Sequence, residues 1–551
     1  MTYQIVPESA PFSSEQRAWL NGFLAGVLGG LDQQSAQGGS ALALAAATTH
    51  LPSRSGAELD TNSESDEFFP WHDPSLPIVD RMKLAEGLPK GRRMMAAMAQ
   101  LDCGSCGYLC KTYSEAIASG KEKNLTLCSP GGSETAKALR MLVKEMTVAN
   151  SNGSSIDKPA ERAQILPGTR ENPVQAKIIA CDKLNGQDSA KDTRHVAIDL
   201  AGSGLSYRVG DALGLWPTNC DSLVAAVLKT SAIDTTDMVS TIGLDRISRS
   251  IPISKALSAK CLRTITPELL EVALESVRHR PKQNGSVAKD AELITRLGQF
   301  GDSDDLYDWD VLEFLESFPS LGLTPQQLAD ALSNQRPRLY SIASSQSKFP
   351  TEVHLTVGRV ETNVRNRARK GVASTMLADR LQPASPLNVF IHPSHGFTIP
   401  ADPDAPMIMV GPGTGIAPFI AFLQQRQADR ASGRNWLFFG DQKKSCDFLY
   451  RDQLESWQVS GLLTRLDLAF SRDEARKVYV QHRMLEQGSE LWAWLEAGGY
   501  FFVCGDASKM AVDVDKALQE VISAHGKMSP AEAKQYLVAM TNAKRYVRDV
   551  Y

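Results

Sequence analysis

The sequence predicts a multidomain chain of α+β and α/β class, with a small helical domain, an antiparallel β domain carrying a helical insertion, and a parallel α/β domain. Three observations carry this. Residues 174–184 and 194–200 are β-rich runs separated by a polar region containing Asn185-Gly186, with a further short run at 207–216, the pattern of antiparallel strands. Residues 219–335 shift to Leu and Ala at helical spacing, punctuated by Pro and Ser, and strands resume at 338–342 and 352–360. After Pro406, apolar runs at 407–410, 436–439, 463–470 and 500–504 alternate with helix-length segments, as in a parallel sheet with crossover helices. The 551 residues exceed what a single core accommodates.

From the N-terminus, Ser13 and Gln16 have capping-box spacing, and Trp19, Leu20, Phe23, Leu24, Val27, Leu28 and Leu31 recur at helical intervals. Residues 1–32 are therefore expected to form an amphipathic helix, docked on its own protein or used to bind a partner subunit or oligomerise. The apolar stretch at 18–31 is too short to span a bilayer, and Arg17 is the only positive charge before it. With neither a membrane span nor a secretion signal expected, the chain reads as cytoplasmic. Residues 33–67 have linker composition, 68–148 form a compact cysteine-bearing segment, and 149–173 form a second linker. The β domain is placed at 174–400, with its helical insertion at 219–335, and the parallel α/β domain at 401–551. A formal net charge of −4 offers no global field for nucleic acid.

Four of nine cysteines crowd together as Cys103, Cys106, Cys110 and Cys128, in the spacing Cys-x2-Cys-x3-Cys-x17-Cys. In a chain without a secretion signal this reads as metal or cluster binding rather than a disulfide framework. Three close thiolates on a Gly-containing loop and one remote thiolate favour a 4Fe-4S cluster. Tetrahedral zinc, the alternative, usually uses two paired hooks. The scattered Cys181, Cys220, Cys261 and Cys446 read as packing residues.

Gly411-Pro412-Gly413-Thr414-Gly415 follows an apolar strand and precedes a helix-like segment at 419–426, so the backbone can approach a pyrophosphate at a helix N-terminus. Ser471 and Arg472 end another strand, and Lys477, Tyr479 and Gln481 follow. Cations, hydroxyls and an amide at a strand's carboxyl edge suit a phosphomonoester, favouring NADPH over NADH. Cys504-Gly505-Asp506 ends the strand at 500–503, so Cys504 either packs as a small hydrophobe or lies over a reacting nicotinamide.

Together with Arg338-Leu339-Tyr340-Ser341, Gly371-Val372-Ala373-Ser374 and the terminal Arg548-Asp549-Val550-Tyr551, these motifs resemble the ferredoxin–NADP reductase superfamily. Within it, the resemblance is closest to the flavoprotein alpha subunits of bacterial NADPH–sulfite reductases. It covers roughly residues 164–551 and implies an FAD-binding β-barrel with a helical insertion, followed by an NADPH-binding domain. It further implies that Arg338 meets the FAD pyrophosphate, Tyr340 packs on the isoalloxazine and Ser341 reaches its reactive edge. Leu339, Thr356, Val357, Gly358 and the 371–374 loop would add FAD contacts. Ser471, Arg472, Lys477, Tyr479, Gln481 and Asp513 would bind NADP, with Tyr551 covering the flavin face. Ser341, Cys504 and Asp549 would form a polar cluster at the reacting edge. Thr362 stands where the family's tyrosine stacks near the adenine.

The resemblance breaks at the N-terminus, where the family carries a flavodoxin-like FMN domain. Residues 103–132 instead resemble the small 4Fe-4S domain of bacterial electron-transport and corrinoid proteins, with Tyr113, Ala116, Ile117 and Gly120 in place but three rather than four residues between the second and third cysteines. The expected function is NADPH oxidation through FAD and a 4Fe-4S cluster toward a haem-containing sulfite reductase subunit. Alternatives are another haem protein or ferredoxin as acceptor, or an FAD reductase whose N-terminal part is a zinc-stabilised interaction module.

Overall fold

The computed structural model describes residues 77–100, 108, 110–122, 124–128, 131–149, 167–243, 247–278, 290, 292–295, 309–319, 321–394 and 396–551. The helix and linker expected over 1–67, Cys103 and Cys106, and most of the second linker lie outside the described residues.

Four helices precede the β domain: α1 (Ile78–Leu84), α2 (Lys90–Ala97), α3 (Cys110–Ala118) and α4 (Gly132–Ala149). Pro77 and Pro89 stand immediately before α1 and α2, where a missing N–H is harmless. Gly120, at φ 72°, follows α3 and supplies the left-handed turn that ends it. Met94, Met95, Met98, Tyr113, Ile117, Leu139 and Leu142 pack together into one small core, which also takes in the Cys110 and Cys128 side chains.

The β domain comprises β1 (Val174–Lys183), β2 (Thr193–Asp199), β3 (Ala212–Leu215), β6 (Arg338–Ser341), β7 (Glu352–Gly358) and β10 (Pro386–His392). They form an antiparallel sheet in the order β6-β3-β10-β1-β2-β7. An antiparallel bridge from Ile342, just beyond β6, to Leu355 of β7 joins the two edges and closes the sheet into a barrel. Val196, Ile198, Val353, Leu355 and Val357 fill its interior. Two hairpins were not expected from the sequence. One, β4 (Met238–Ile242) with β5 (Ser248–Pro252), lies inside the otherwise helical insertion. The other, β8 (Glu361–Val364) with β9 (Arg367–Lys370), carries Thr362.

The C-terminal sheet contains β11 (Met407–Val410), β12 (Asn435–Asp441), β13 (Arg465–Phe470), β14 (Tyr500–Gly505) and β15 (Tyr546–Val550), all parallel in the order β13-β12-β11-β14-β15. Wholly buried β11 and almost wholly buried β12 read as continuous apolar runs because helices cover both faces. No described helix is long and apolar enough to cross a membrane.

The barrel and the parallel domain are joined through the β1–β2 loop. Gly186 N–H donates to the Cys446 carbonyl at 2.7 Å, and Asn185 Nδ2 donates to Asp447 Oδ1 at 2.8 Å. Lys191 pairs with the buried carboxylate of Asp441. Tyr450 and Thr356 exchange a 2.7 Å hydroxyl contact across the same seam.

Candidate active site

The terminal strand builds the reacting corner. Pairing of β15 with β14 sets Asp549 opposite Cys504 and Val550 opposite Gly505. The Asp549 carboxylate then accepts a 2.7 Å hydrogen bond from Ser341 Oγ and lies 3.9 Å from Cys504 Sγ. Burial pushes the Asp549 carboxyl up from its ordinary value, against the Ser341 and Cys504 hydrogen bonds. Cys504 is fully buried, and burial followed by the Asp549 charge pushes its thiol well up. The three residues grouped from the sequence thus meet in space. The Cys504 side chain is wholly buried beside the Asp549 carboxyl and is not among the residues lining the cavity.

Tyr551 continues past β15, its N–H donating to the Gly505 carbonyl at 3.0 Å and its hydroxyl 2.9 Å from Thr414 Oγ1. The residue is 42% exposed and lines the main cavity. Thr414 belongs to the glycine loop, whose close packing leaves no room for side chains. A Cβ on Gly411 would lie 2.5 Å from the Gly415 carbonyl oxygen, and one on Gly415 would lie 2.1 Å from the Cys504 carbonyl oxygen. Gly413 adopts φ 58°. These glycines press the loop onto β14 and place Thr414 Cγ2 against β7 at Gly358. Among the 411–415 residues only Thr414 lines the cavity.

That cavity, about 1200 Å³, is large enough for a dinucleotide. Arg338, Leu339, Tyr340 and Ser341 line it along β6, Thr356 and Gly358 along β7, and Gly371, Val372, Ala373 and Ser374 at the start of the short helix that follows β9. Thr362 also lines it, exposed on β8. Val357 does not: strand alternation turns its side chain into the barrel core between two cavity-facing neighbours, so that only its main chain runs beside them. A Cβ on Gly371 would fall 2.7 Å from Ser374 Oγ, so this turn accepts no side chain without displacement. Two lining arginines hold buried donors that have no partner among the described residues, Arg367 Nη1 and Arg380 Nε. Several arginines on the wall of one large cavity, two of them with an unpartnered buried donor, fit a group rich in phosphate oxygens, and the residues present therefore fit FAD. The sequence reading passed over both arginines, since isolated arginines in hairpin and helix-end positions carry no motif.

On the other edge strand of the parallel sheet, at the same carboxyl side, Ser471 follows β13 and its N–H donates to the Asp441 carbonyl at 2.9 Å. Arg472 and Lys477 are exposed and make no ion pair among the described residues. Tyr479 is 43% exposed, and Gln481 Nε2 donates to Asp513 at 3.3 Å. The six residues expected to bind NADP thus gather beyond the carboxyl ends of the strands, where open α/β sheets bind nucleotides.

Of the cysteine quartet, the described pair Cys110 and Cys128 are buried in the core of the small helical unit. A Cβ on Gly131 would lie 3.0 Å from Cys128 Sγ, so the chain turns tightly around this thiol. Among the described residues no group of three or more metal-ligating side chains occurs, and Cys103 and Cys106 lie outside them.

A closed antiparallel barrel with a helical insertion, a parallel domain bearing a glycine loop, and a dinucleotide-sized cavity at their seam define a flavin- and pyridine-nucleotide-binding oxidoreductase. Residues 166–376 match the model of the FAD binding domain, and residues 409–516 match that of the oxidoreductase NAD-binding domain. Together these are an FAD-binding domain and an oxidoreductase domain for a nicotinamide nucleotide. The chain is 42% identical over 383 residues to the sulfite reductase [NADPH] flavoprotein alpha-component of Mannheimia succiniciproducens, covering 70% of this chain and 62% of that protein. It is 40% identical over 402 residues to the component of the same name from Bacillus subtilis, covering 72% and 65%. The matched region spans less than two thirds of the length of these curated relatives.

Proposed function

We propose that the chain takes reducing equivalents from NADPH and delivers them to a haem-containing sulfite reductase subunit through FAD and a 4Fe-4S cluster. The carrying observation is the Ser341–Asp549–Cys504 cluster at the edge of a cavity whose lining fits FAD, with Tyr551 seated against the glycine loop. FAD supplies hydride acceptance and its conversion to single electrons. Ser341 and Asp549 orient a proton at the reacting edge, Cys504 holds the carboxylate in a dry setting, and Tyr551 excludes water from the face that nicotinamide must occupy. Arg472 and Lys477, exposed and without ion-pair partners among the described residues, favour the 2′-phosphate of NADPH.

Cys103, Cys106, Cys110 and Cys128 would ligate the cluster. The cysteine spacing and the shared core of Cys110 and Cys128 support this reading. The sulfite reductase acceptor is carried over from the relatives' printed name. The absence of a described membrane-crossing helix is compatible with action in the cytoplasm. The apolar-patterned residues 1–32 would serve oligomerisation or subunit contact.

An anaerobic preparation analysed for flavin, iron and acid-labile sulfide tests the reading. One FAD, four irons and four sulfides per chain support it. Zinc without iron or sulfide overturns the cluster and leaves an FAD reductase with an interaction module.

A further inference from the structure

The small helical unit touches the barrel through a compact set of side chains just ahead of the FAD-lining strand β6. Arg336 Nη2 donates to Glu122 Oε2 at 2.8 Å, with both side chains largely buried at 20% and 13% exposure. The Tyr108 hydroxyl donates to the same carboxylate oxygen at 3.2 Å. Arg170 lies over the Tyr108 ring at 4.5 Å and Arg336 at 5.7 Å, so two barrel-side guanidinium groups meet one aromatic face and one carboxylate.

Both sides of this contact are anchored. Glu122 Oε1 accepts from Asn124 N–H at 2.8 Å, and Tyr108 stacks on Tyr113 with ring centroids 5.5 Å apart. The Arg170 carbonyl accepts from Trp216 Nε1 at 3.2 Å. On the helical side, Tyr108 stands two residues from Cys110. On the barrel side, Arg336 stands two residues from Arg338, which lines the cavity. Gln100 of the helical unit, only 3% exposed and held by the Met98 carbonyl at 3.0 Å, lines that same cavity. The helical unit is thus part of the flavin site's wall.

We infer that Tyr108, Glu122, Arg170 and Arg336 form a joint that fixes the cysteine-bearing helical unit as a wall of the FAD cavity, so that electrons pass from flavin into this unit in the docked arrangement without a domain excursion. The electron half rests on the cluster reading above; the wall does not. Each transfer removes one electron from reduced flavin and adds one to the oxidised cluster. A hydride's two electrons therefore leave in two such transfers, each relayed to the one-electron haem acceptor before the next, and the flavin proton goes to solvent.

The test uses the full-length holoprotein carrying Tyr108→Ala with Glu122→Gln, beside the charge exchange Glu122→Arg with Arg336→Glu. Iron, sulfide, circular dichroism and NADPH–ferricyanide turnover should match the wild type in both. In the first variant FAD release should accelerate at least fivefold, and bleaching of the cluster by NADPH in stopped flow should slow at least tenfold. The charge exchange should recover most of both losses. Unchanged FAD release would overturn the wall. Faster FAD release with unchanged cluster bleaching would overturn direct transfer. A wild type lacking iron removes the cluster reading and with it the electron half, while FAD release still decides the wall.

Discussion

Ser341 and Asp549, 208 residues apart in sequence, share a 2.7 Å hydrogen bond that ties the FAD-lining strand to the last strand of the parallel domain. Because burial raises the Asp549 carboxyl, the folded state holds its proton more tightly than the unfolded chain does. Any stability this group contributes is fullest below the ordinary aspartate range and falls as pH rises from there through the raised folded value. Above the ordinary aspartate range the buried carboxyl is therefore a net burden on the fold relative to low pH. Asp549→Asn should raise the melting temperature at pH 7 by a few degrees relative to pH 4, while slowing NADPH-driven flavin reduction about tenfold, consistent with one lost polar contact at the reacting edge. Unchanged flavin reduction measured by stopped flow would remove Asp549 from the site.

Nucleotide preference should reside in Arg472 and Lys477. Replacing both with Ala should raise the KM for NADPH strongly and leave NADH nearly unaffected, since each charged hydrogen bond to a phosphate contributes about 1.5–3 kcal/mol. Steady-state assays with the two nucleotides decide it, and equal losses with both would contradict the assignment.

Tyr551 sits against Thr414 and lines the cavity, and in the proposed reading its ring takes the place where a nicotinamide would stack on the flavin. Tyr551→Ala should tighten NADP⁺ binding and slow product release, read by equilibrium titration and turnover. Unchanged affinity together with an unchanged flavin spectrum would remove the stacking role.

How much of this arrangement the sequence carries depends on burial. The strands β11 and β12 are apolar runs and were legible as such, whereas β15 was not: Arg548 and Asp549 interrupt it, and it reads as a charged tail although it sets Asp549 opposite Cys504. The β8–β9 hairpin hides for a similar reason. Its strands are Glu-Thr-Asn-Val and Arg-Ala-Arg-Lys, and its turn places Arg365 and Asn366 at φ 51° and 61°, where only the asparagine is a recognised turn residue. The motif residues assigned to FAD mostly line one cavity, while the buried Val357 side chain shows that a contiguous motif does not face one way along a strand. The contacts that lock the two domains, such as Lys191 with Asp441, join loops some 250 residues apart and leave no local pattern to read.

His195 lies beneath that seam, its Nδ1 3.1 Å from the Tyr450 hydroxyl and its ring edge-on to His354 at 4.9 Å. Burial, then the His354 charge, lowers it from 6.5 to about 4, with Asp182 opposing. The unfolded chain therefore takes up this proton first, and stability is lost as pH falls from 6.5 toward 4. The loss amounts to about 2 kcal/mol after allowing for partial exposure. Denaturant melts across this window should show the decline, and His195→Gln, which keeps a polar partner for Tyr450 without titrating, should flatten it. A wild-type profile already flat between pH 6.5 and 4 would contradict the assignment.

The cysteine quartet offers the sharpest separation of the two halves of the proposed electron path. Cys106→Ser removes one thiolate of the proposed set, while the cavity-lining residues begin at Gly210 apart from Gln100. The variant should lose or damage its cluster, read as lost iron, sulfide and visible absorption, yet retain FAD. Flavin reduction by NADPH should proceed at near wild-type rate, because none of the residues assigned to that step lies in the cysteine segment, and ferricyanide should still be reduced. Electron delivery to a haem acceptor should collapse, since a two-electron donor would then face a one-electron acceptor without a relay. If Cys106→Ser feeds the haem acceptor at the wild-type rate, the cluster is not the exit, and the cysteine segment serves instead to hold the helical unit together.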